Sequence, residues 1–171
     1  MNIKDLKDCI DQSPVCGNKD FGKEFDDMGQ CAEKTLPFPR RMAVRTGSVI
    51  DRLEFGYDGF ALGHGGKGGA PQEFSLKQGE HIVKVEGACC DFGGKVTVRA
   101  LKFTTDKGNV IQVGTEGGEN FEFKAKDGYA ICAMYGRADN YVRGVGFYAR
   151  KVDMDLGGAF KGIGGKLPGL K

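Results

Sequence analysis

The sequence predicts an all-β domain, closed or prism-like, on three observations. Glycine is abundant, with 29 glycines and five prolines in 171 residues and no tryptophan, a composition suited to many short strands joined by tight turns. Short apolar runs with period-2 character succeed one another from Met42 onward, whereas a 3.6-residue apolar period is confined to the two ends. A seven-residue run at 49–55 also returns twice, at 97–103 and 141–147.

Taken in order, Ile3, Leu6 and Ile10 stand at helical spacing, so residues 1–16 read as an N-terminal arm with a short helical turn, packed on the domain. Residues 17–27 are turn-rich and then acidic. Leu36-Pro37-Phe38-Pro39 belongs in a loop or at a sheet edge, because proline cannot donate to a ladder. Strands are then expected at 42–45, 49–55, 72–76, 82–86, 96–104, 109–113, 120–124, 129–135 and 142–151. In the 49–55 strand the alternation is imperfect: Val49, Asp51, Leu53 and Phe55 cannot all share a face with Ile50. The strand leads through a short turn to His64-Gly65-Gly66-Lys67-Gly68-Gly69. A carboxylate at the start of a strand is thus followed by a loop of exposed backbone amides.

The length fits a single domain with a sizeable core. A net charge of +2 with interspersed signs lacks the clustered basic face that nucleic acid requires, and no apolar run reaches the ~20 residues of a membrane span. Met1 to Asp8 is too polar for a signal peptide, so secretion, the favoured localisation, implies a leader removed from this numbering. The six cysteines, Cys9, Cys16, Cys31, Cys89, Cys90 and Cys132, lack paired metal-ligand spacings and leave both structural disulfides and buried thiols open. The vicinal Cys89-Cys90 pair is expected to face two directions. His64 and His81 are the only histidines, and neither adjoins a cysteine in a catalytic motif. No cofactor fingerprint is visible: Lys67 precedes Gly68 rather than Ser or Thr, so the glycine loop is not a P-loop. Asp26, Asp27 and Asp91 lack the alternating oxygen ligands of a calcium loop. A non-catalytic protein without metal or cofactor is the expectation.

In the repeat, Asp51 corresponds to Arg99 and Arg143. Each copy has a glycine-containing partner loop, at 65–69, 114–118 and, more poorly, 17–22. Three similar units imply pseudo-threefold β architecture. The blocks Gly47-Ser48-Val49-Ile50-Asp51, His64-Gly65-Gly66-Lys67-Gly68-Gly69, Phe74-x-Leu76-x-x-Gly79-Glu80-x-Ile82, Phe103-Thr104-Thr105, Tyr135-Gly136-Arg137 and Gly146-Phe147-Tyr148 resemble, in order, those of the jacalin-related lectins. The resemblance covers roughly residues 17–152. It implies a β-prism I of three four-stranded Greek-key sheets and metal-independent binding of mannose- or galactose-type glycans.

By that resemblance, a sugar site pairs the Asp of a Gly-x-x-x-Asp turn with amides of a glycine-rich loop. The carboxylate accepts charge-assisted hydrogen bonds from sugar hydroxyls, and glycine admits the ring without a Cβ in its way. The last repeat, usual home of the principal site, reads Asp139-Asn140-Tyr141-Val142-Arg143, and the second carries Lys95 and Arg99. Arginine donates but cannot accept, so neither keeps the pattern; internally paired or solvated arginines, an anion contact or a partner contact remain as their roles. Gly47, Ser48, Val49 and Asp51, with Gly68 and Gly69, are the expected sugar-binding residues. Pairing of Asp51 with Arg52 or Lys67 would close that site. His64 is expected to support the loop.

Residues 153–171 form a separate tail, with Leu156, Phe160, Ile163, Leu167 and Leu170 at helical spacing between lysines. Six glycines and Pro168 in the tail oppose a free helix. The alternative function is a scaffold or assembly subunit that contacts proteins through the arm and this tail; a membrane-surface contact by the tail is a weaker reading. A shallow sugar site is weak alone, so several sites or chains in an oligomer would supply avidity.

Overall fold

The computed structural model describes residues 8–115 and 119–153, and the tail beyond 153 lies outside them, as does most of the arm's helical spacing. Period-2 runs become three antiparallel sheets. The first contains β4 (Arg41–Thr46), β5 (Ile50–Gly56), β6 (Ala61–Gly65) and β7 (Ala70–Ser75), in the spatial order β6-β5-β4-β7. The second contains β8 (Ile82–Phe92), β9 (Lys95–Thr105), β10 (Val110–Gly114) and β11 (Glu119–Lys124), in the order β10-β9-β8-β11. Both are Greek keys, with the fourth strand returning beside the first.

The third sheet joins the chain's two ends. Here β12 (Tyr129–Ala138) and β13 (Val142–Lys151) pair with each other, β3 (Lys23–Asp26) flanks β12, and β1 (Ile10–Gln12) and β2 (Cys16–Gly17) flank β13. β1 and β2 act as one edge strand interrupted at Ser13-Pro14. Ser13 bridges the interruption: its amide donates to Phe147 O at 2.8 Å, and its hydroxyl accepts from the Phe147 amide at 2.9 Å. The segment expected as an arm is therefore threaded into the sheet from Ile10 onward. A short helix, α1 (Met28–Glu33), buries Met28, Cys31 and Ala32. It ends where Thr35 and Leu36 take positive φ values of 63° and 52°. Neither α1 nor β6 was expected. β6 is hidden in the sequence by Gly63, across which the long side chains of its neighbours lie: a Cβ there would lie 2.6 Å from Arg52 Nη2 and 2.9 Å from Glu54 Oε1.

Inner faces of the three sheets meet in one core. Phe55, Phe103 and Phe147, the last residues of the three repeat copies, are all fully buried. Their ring centroids lie 6.3, 6.3 and 5.9 Å apart, so one ring from each sheet meets the other two.

Each sheet also carries a β-bulge at the same step. Between Arg45/Thr46 on β4 and Arg52/Ile50 on β5, the register skips Asp51. Ala88/Cys89 against Ala100/Val98 skips Arg99, and Arg137/Ala138 against Gly144/Val142 skips Arg143. The extra residue of a bulge is left out of the ladder and its side chain re-aimed. The broken alternation at Asp51 is this bulge seen in the sequence.

Outside the core, Glu80 ties the turn before β8 to the β9–β10 turn. It accepts from Thr105 Oγ1 at 2.6 Å, the Lys77 amide at 2.9 Å and Asn109 Nδ2 at 2.6 Å. Those bonds hold the carboxyl at about 2, against an ordinary value of 4.5. A carboxylate lowered in the fold stabilises fully above its unfolded value and loses that contribution as pH falls through the folded value. Glu80→Gln is expected to lower the melting temperature at pH 7, with the gap to the parent protein closing between pH 4.5 and 2.

Candidate functional site

The three bulges create three equivalent corners with matching backbone. At each, a positive-φ glycine from the partner loop packs on the carbonyl of the bulged residue. A Cβ would stand 2.1 Å from Asp51 O at Gly65, 2.2 Å from Arg99 O at Gly114 and 2.5 Å from Arg143 O at Gly17. The residues after Gly65 and Gly17 complete the join, with the amides of Gly66 and Asn18 donating to Asp51 O and Arg143 O, each at 2.8 Å. Gly17 thus has the place in its corner that Gly65 has in the first. With the bulge and the glycine-on-carbonyl packing shared, the bulged side chain decides what each corner can do.

In the first corner that side chain is Asp51, only 6% exposed. Its Oδ1 is buried and has no hydrogen-bond partner among the described residues. Three glycines crowd the carboxylate. A Cβ on Gly47 would lie 3.3 Å from Oδ1, one on Gly68 2.8 Å from Oδ2, and one on Gly69 2.8 Å from Oδ1. Burial pushes the carboxyl above its ordinary value, against the downward pull of the Gly47 amide and the Arg45 guanidinium. Both expected blocking pairs fail to form. Arg52 pairs loosely with Glu54 at 3.8 Å and reaches Gly65 O at 3.4 Å, and no ion pair joins Lys67 to Asp51 among the described residues.

Arg45 instead organises the loop. Its Nε donates to Gly68 O at 3.0 Å and its Nη2 to Gly69 O at 3.2 Å. A trans peptide places C=O and N–H on opposite sides, so anchoring the Gly68 carbonyl turns the Gly69 amide away from Arg45. Sequence reasoning missed this residue, although Arg45 lies just before the Gly47 turn. His64 supports the loop from the other side. Its Nε2 lies 2.9 Å from both oxygens of buried Asp27, and its ring stacks on Phe25 at 3.7 Å.

Of the expected site residues, Gly47, Asp51, Gly68 and Gly69 converge. Ser48 is exposed at the rim of the turn. Val49 points its side chain into the core at 1% exposure, and its carbonyl accepts the Gly47 amide at 3.0 Å. Its side chain is therefore not available to a ligand.

The third corner is filled. Arg143 is 8% exposed and donates from Nε to Asp139 Oδ1 at 2.9 Å and from Nη1 to Thr97 Oγ1 at 2.8 Å. Its guanidinium also lies over Phe21 at 5.2 Å and Tyr141 at 5.0 Å. Burial alone would raise the Asp139 carboxyl, but the Arg143 side chain and the Tyr141 amide outweigh it and hold the group below its ordinary value. Arg143 is thus an internal tie between the third and second sheets. Arg143→Ala is expected to cost about 1–3 kcal/mol of stability while leaving any ligand of the first corner bound as before, checked by thermal melts and by titration of that ligand. In the second corner Arg99 stands at the bulge, with Nε buried and unpartnered among the described residues.

A jacalin-like lectin domain model matches residues 13–148. Horcolin from Hordeum vulgare subsp. vulgare is 29% identical over 114 residues, covering 63% of this chain and 78% of horcolin. Jacalin-related lectin 22 from Arabidopsis thaliana is 30% identical over 134 residues, covering 74% of this chain and 28% of that longer protein. Among solved structures, AcmJRL, a mannose-binding jacalin-related lectin from Ananas comosus, superposes with a TM-score of 0.71 at 25% identity, covering 83% of this chain and 98% of that one. The prism of three Greek-key sheets, the three bulged corners and the family match agree: this chain belongs to the jacalin-like lectin family.

Proposed function

We propose that the protein is a non-catalytic lectin that binds a mannose- or galactose-type saccharide at the first corner, through the Asp51 carboxylate and the loop ending in Gly68 and Gly69. One observation carries the reading. Asp51 is a buried carboxylate whose Oδ1 lacks any described protein partner, with Gly47, Gly68 and Gly69 beside it, where an added Cβ would stand 2.8–3.3 Å from its oxygens. An unpaired buried acceptor is costly to keep, and sugar hydroxyls are donors of the right kind to satisfy it. Family membership supports carbohydrate as the ligand class, and the mannose-binding pineapple relative favours testing mannose first.

Beside the loop, a shallow groove of about 800 Å³ runs between Arg45 and Arg52, past Gly66 and Lys67, to Gln72 and Glu73. Asp51 does not line it. The groove gives room for further residues of an oligosaccharide whose terminal sugar occupies the corner.

The test is a glycan array carrying mannose- and galactose-terminated structures at high density, because a single shallow site is weak and multivalent display raises apparent affinity. Binding to a defined subset, competed by the free sugar, is the expected outcome. Silence across the array would overturn the reading and favour the assembly-subunit alternative, whose C-terminal contact segment lies outside the described residues.

A further inference from the structure

We propose that Cys16 and Cys89 form a covalent modification site, closing an intrachain disulfide when the protein meets a low-molecular-weight disulfide such as oxidised glutathione. Their sulfurs lie 3.1 Å apart in the core, as hydrogen-bonded thiols from positions 73 residues apart. A sulfur–sulfur bond is ~2.05 Å, so an approach of about 1 Å closes it. Sequence spacing gave no hint of this pairing. It arises because β2 runs along β13 in the third sheet, while β8 belongs to the second.

The local sequence makes room for the pair. Gly87 and Cys89 share the inward face of β8, and a Cβ on Gly87 would stand 2.9 Å from Cys16 Sγ. The sulfur of Cys16 occupies the space that a side chain at position 87 would take. The neighbouring Cys90 is half-buried on the opposite face and does not compete. Cys31 and Cys132 are fully buried, and burial pushes both thiols upward, to about 12 for Cys31.

Access comes from the weakness of β2. It is two residues long, with the register pairs Cys16–Val145 and Gly17–Gly144 between the flanking Ser13 and Asn18 bonds to β13, and local opening of this short segment exposes Cys16. The Cys16 thiolate attacks one sulfur of oxidised glutathione, forming a mixed disulfide and releasing one glutathione thiolate. While β2 is still open, the Cys89 thiolate attacks the Cys16 sulfur and expels the second, and the segment then recloses over the disulfide. Two protein thiols are oxidised, one glutathione disulfide is reduced to two thiols, and the two protein protons pass to the released thiolates. The product staples the N-terminal segment to the second sheet and leaves Asp51 and its loop untouched.

The experiment incubates the reduced full-length chain with oxidised glutathione, quenches it with acid and maps its peptides by mass spectrometry without reduction. The expected product is one linked pair, containing Cys16 and Cys89, that dithiothreitol releases. The oxidised chain should melt about 10 °C higher, from the loss of unfolded-chain entropy. Cys16→Ser and Cys89→Ser should each abolish the linked pair and the shift, while Cys90→Ser keeps both. The mapping on the parent chain decides even if a serine variant fails to fold. Absence of the pair, linkage to a different cysteine, a glutathione adduct that persists on Cys16, or a pair with no change in melting temperature would overturn the proposal.

Discussion

Asp51→Asn is expected to abolish saccharide binding while leaving the fold intact. The asparagine keeps the shape but replaces one acceptor oxygen by a donor and removes the charge. Two charge-assisted bonds of about 1.5–3 kcal/mol each are weakened or lost, which lowers affinity at least about 100-fold by titration calorimetry. Stability should move the other way. Burial is the leading cause of the raised Asp51 carboxyl, so the ionised form disfavours folding. That penalty is absent below the ordinary value of 3.8, grows as pH rises from there, and is complete above the higher folded value. The variant is therefore expected to equal or exceed the parent's melting temperature at pH 7. The same titration acts on binding: affinity of the parent protein should fall as pH drops through the raised carboxyl value, because the neutral acid loses its charge-assisted acceptance. Undiminished sugar binding by Asp51→Asn would place the site at another corner.

Phe103→Ala is expected to be the most destabilising single substitution considered. Phe103 packs edge-on against both Phe55 and Phe147, each from a different sheet, and none of the three rings is exposed. Truncation leaves a cavity where all three sheets meet, and the large flat neighbours cannot close it. A loss of about 3–5 kcal/mol follows, equal to a fall of roughly 10–15 °C in melting temperature for a domain of this size. A denaturant titration measures it directly. Phe103→Leu should recover a large part of the loss, since it restores apolar volume; a null effect for the alanine variant would mean that the sheets do not share this core.

The strands from β4 onward, apart from β6, were legible because half-buried strands write a period of two into the sequence. The repeat was legible for the same reason, since Phe55, Phe103 and Phe147 return at matching places in copies of equal length. The acceptor Asp51 and the glycines that crowd it were also visible, because chemistry of that kind depends on residue type at short range. Less was visible at the N-terminus, where β1, β2 and β3 are too short to show a period and take their hydrogen bonds from β12 and β13 more than a hundred residues away. Gly63 likewise reads as a breaker until Arg52 and Glu54 are seen lying across it.

The sequence by itself determined the all-β class, the threefold repetition and the single carboxylate among three equivalent positions, because local periodicity and side-chain chemistry are properties of the chain. Only the tertiary structure decided that this carboxylate is the extra residue of a bulge, that Arg45 anchors the loop through the Gly68 and Gly69 carbonyls, that Arg143 is consumed as a tie to Thr97, and that Cys16 meets Cys89. The physical reason is common to all four. Each depends on how sheets far apart in sequence close on one another, and a register or a contact across that closure leaves no mark in either segment alone.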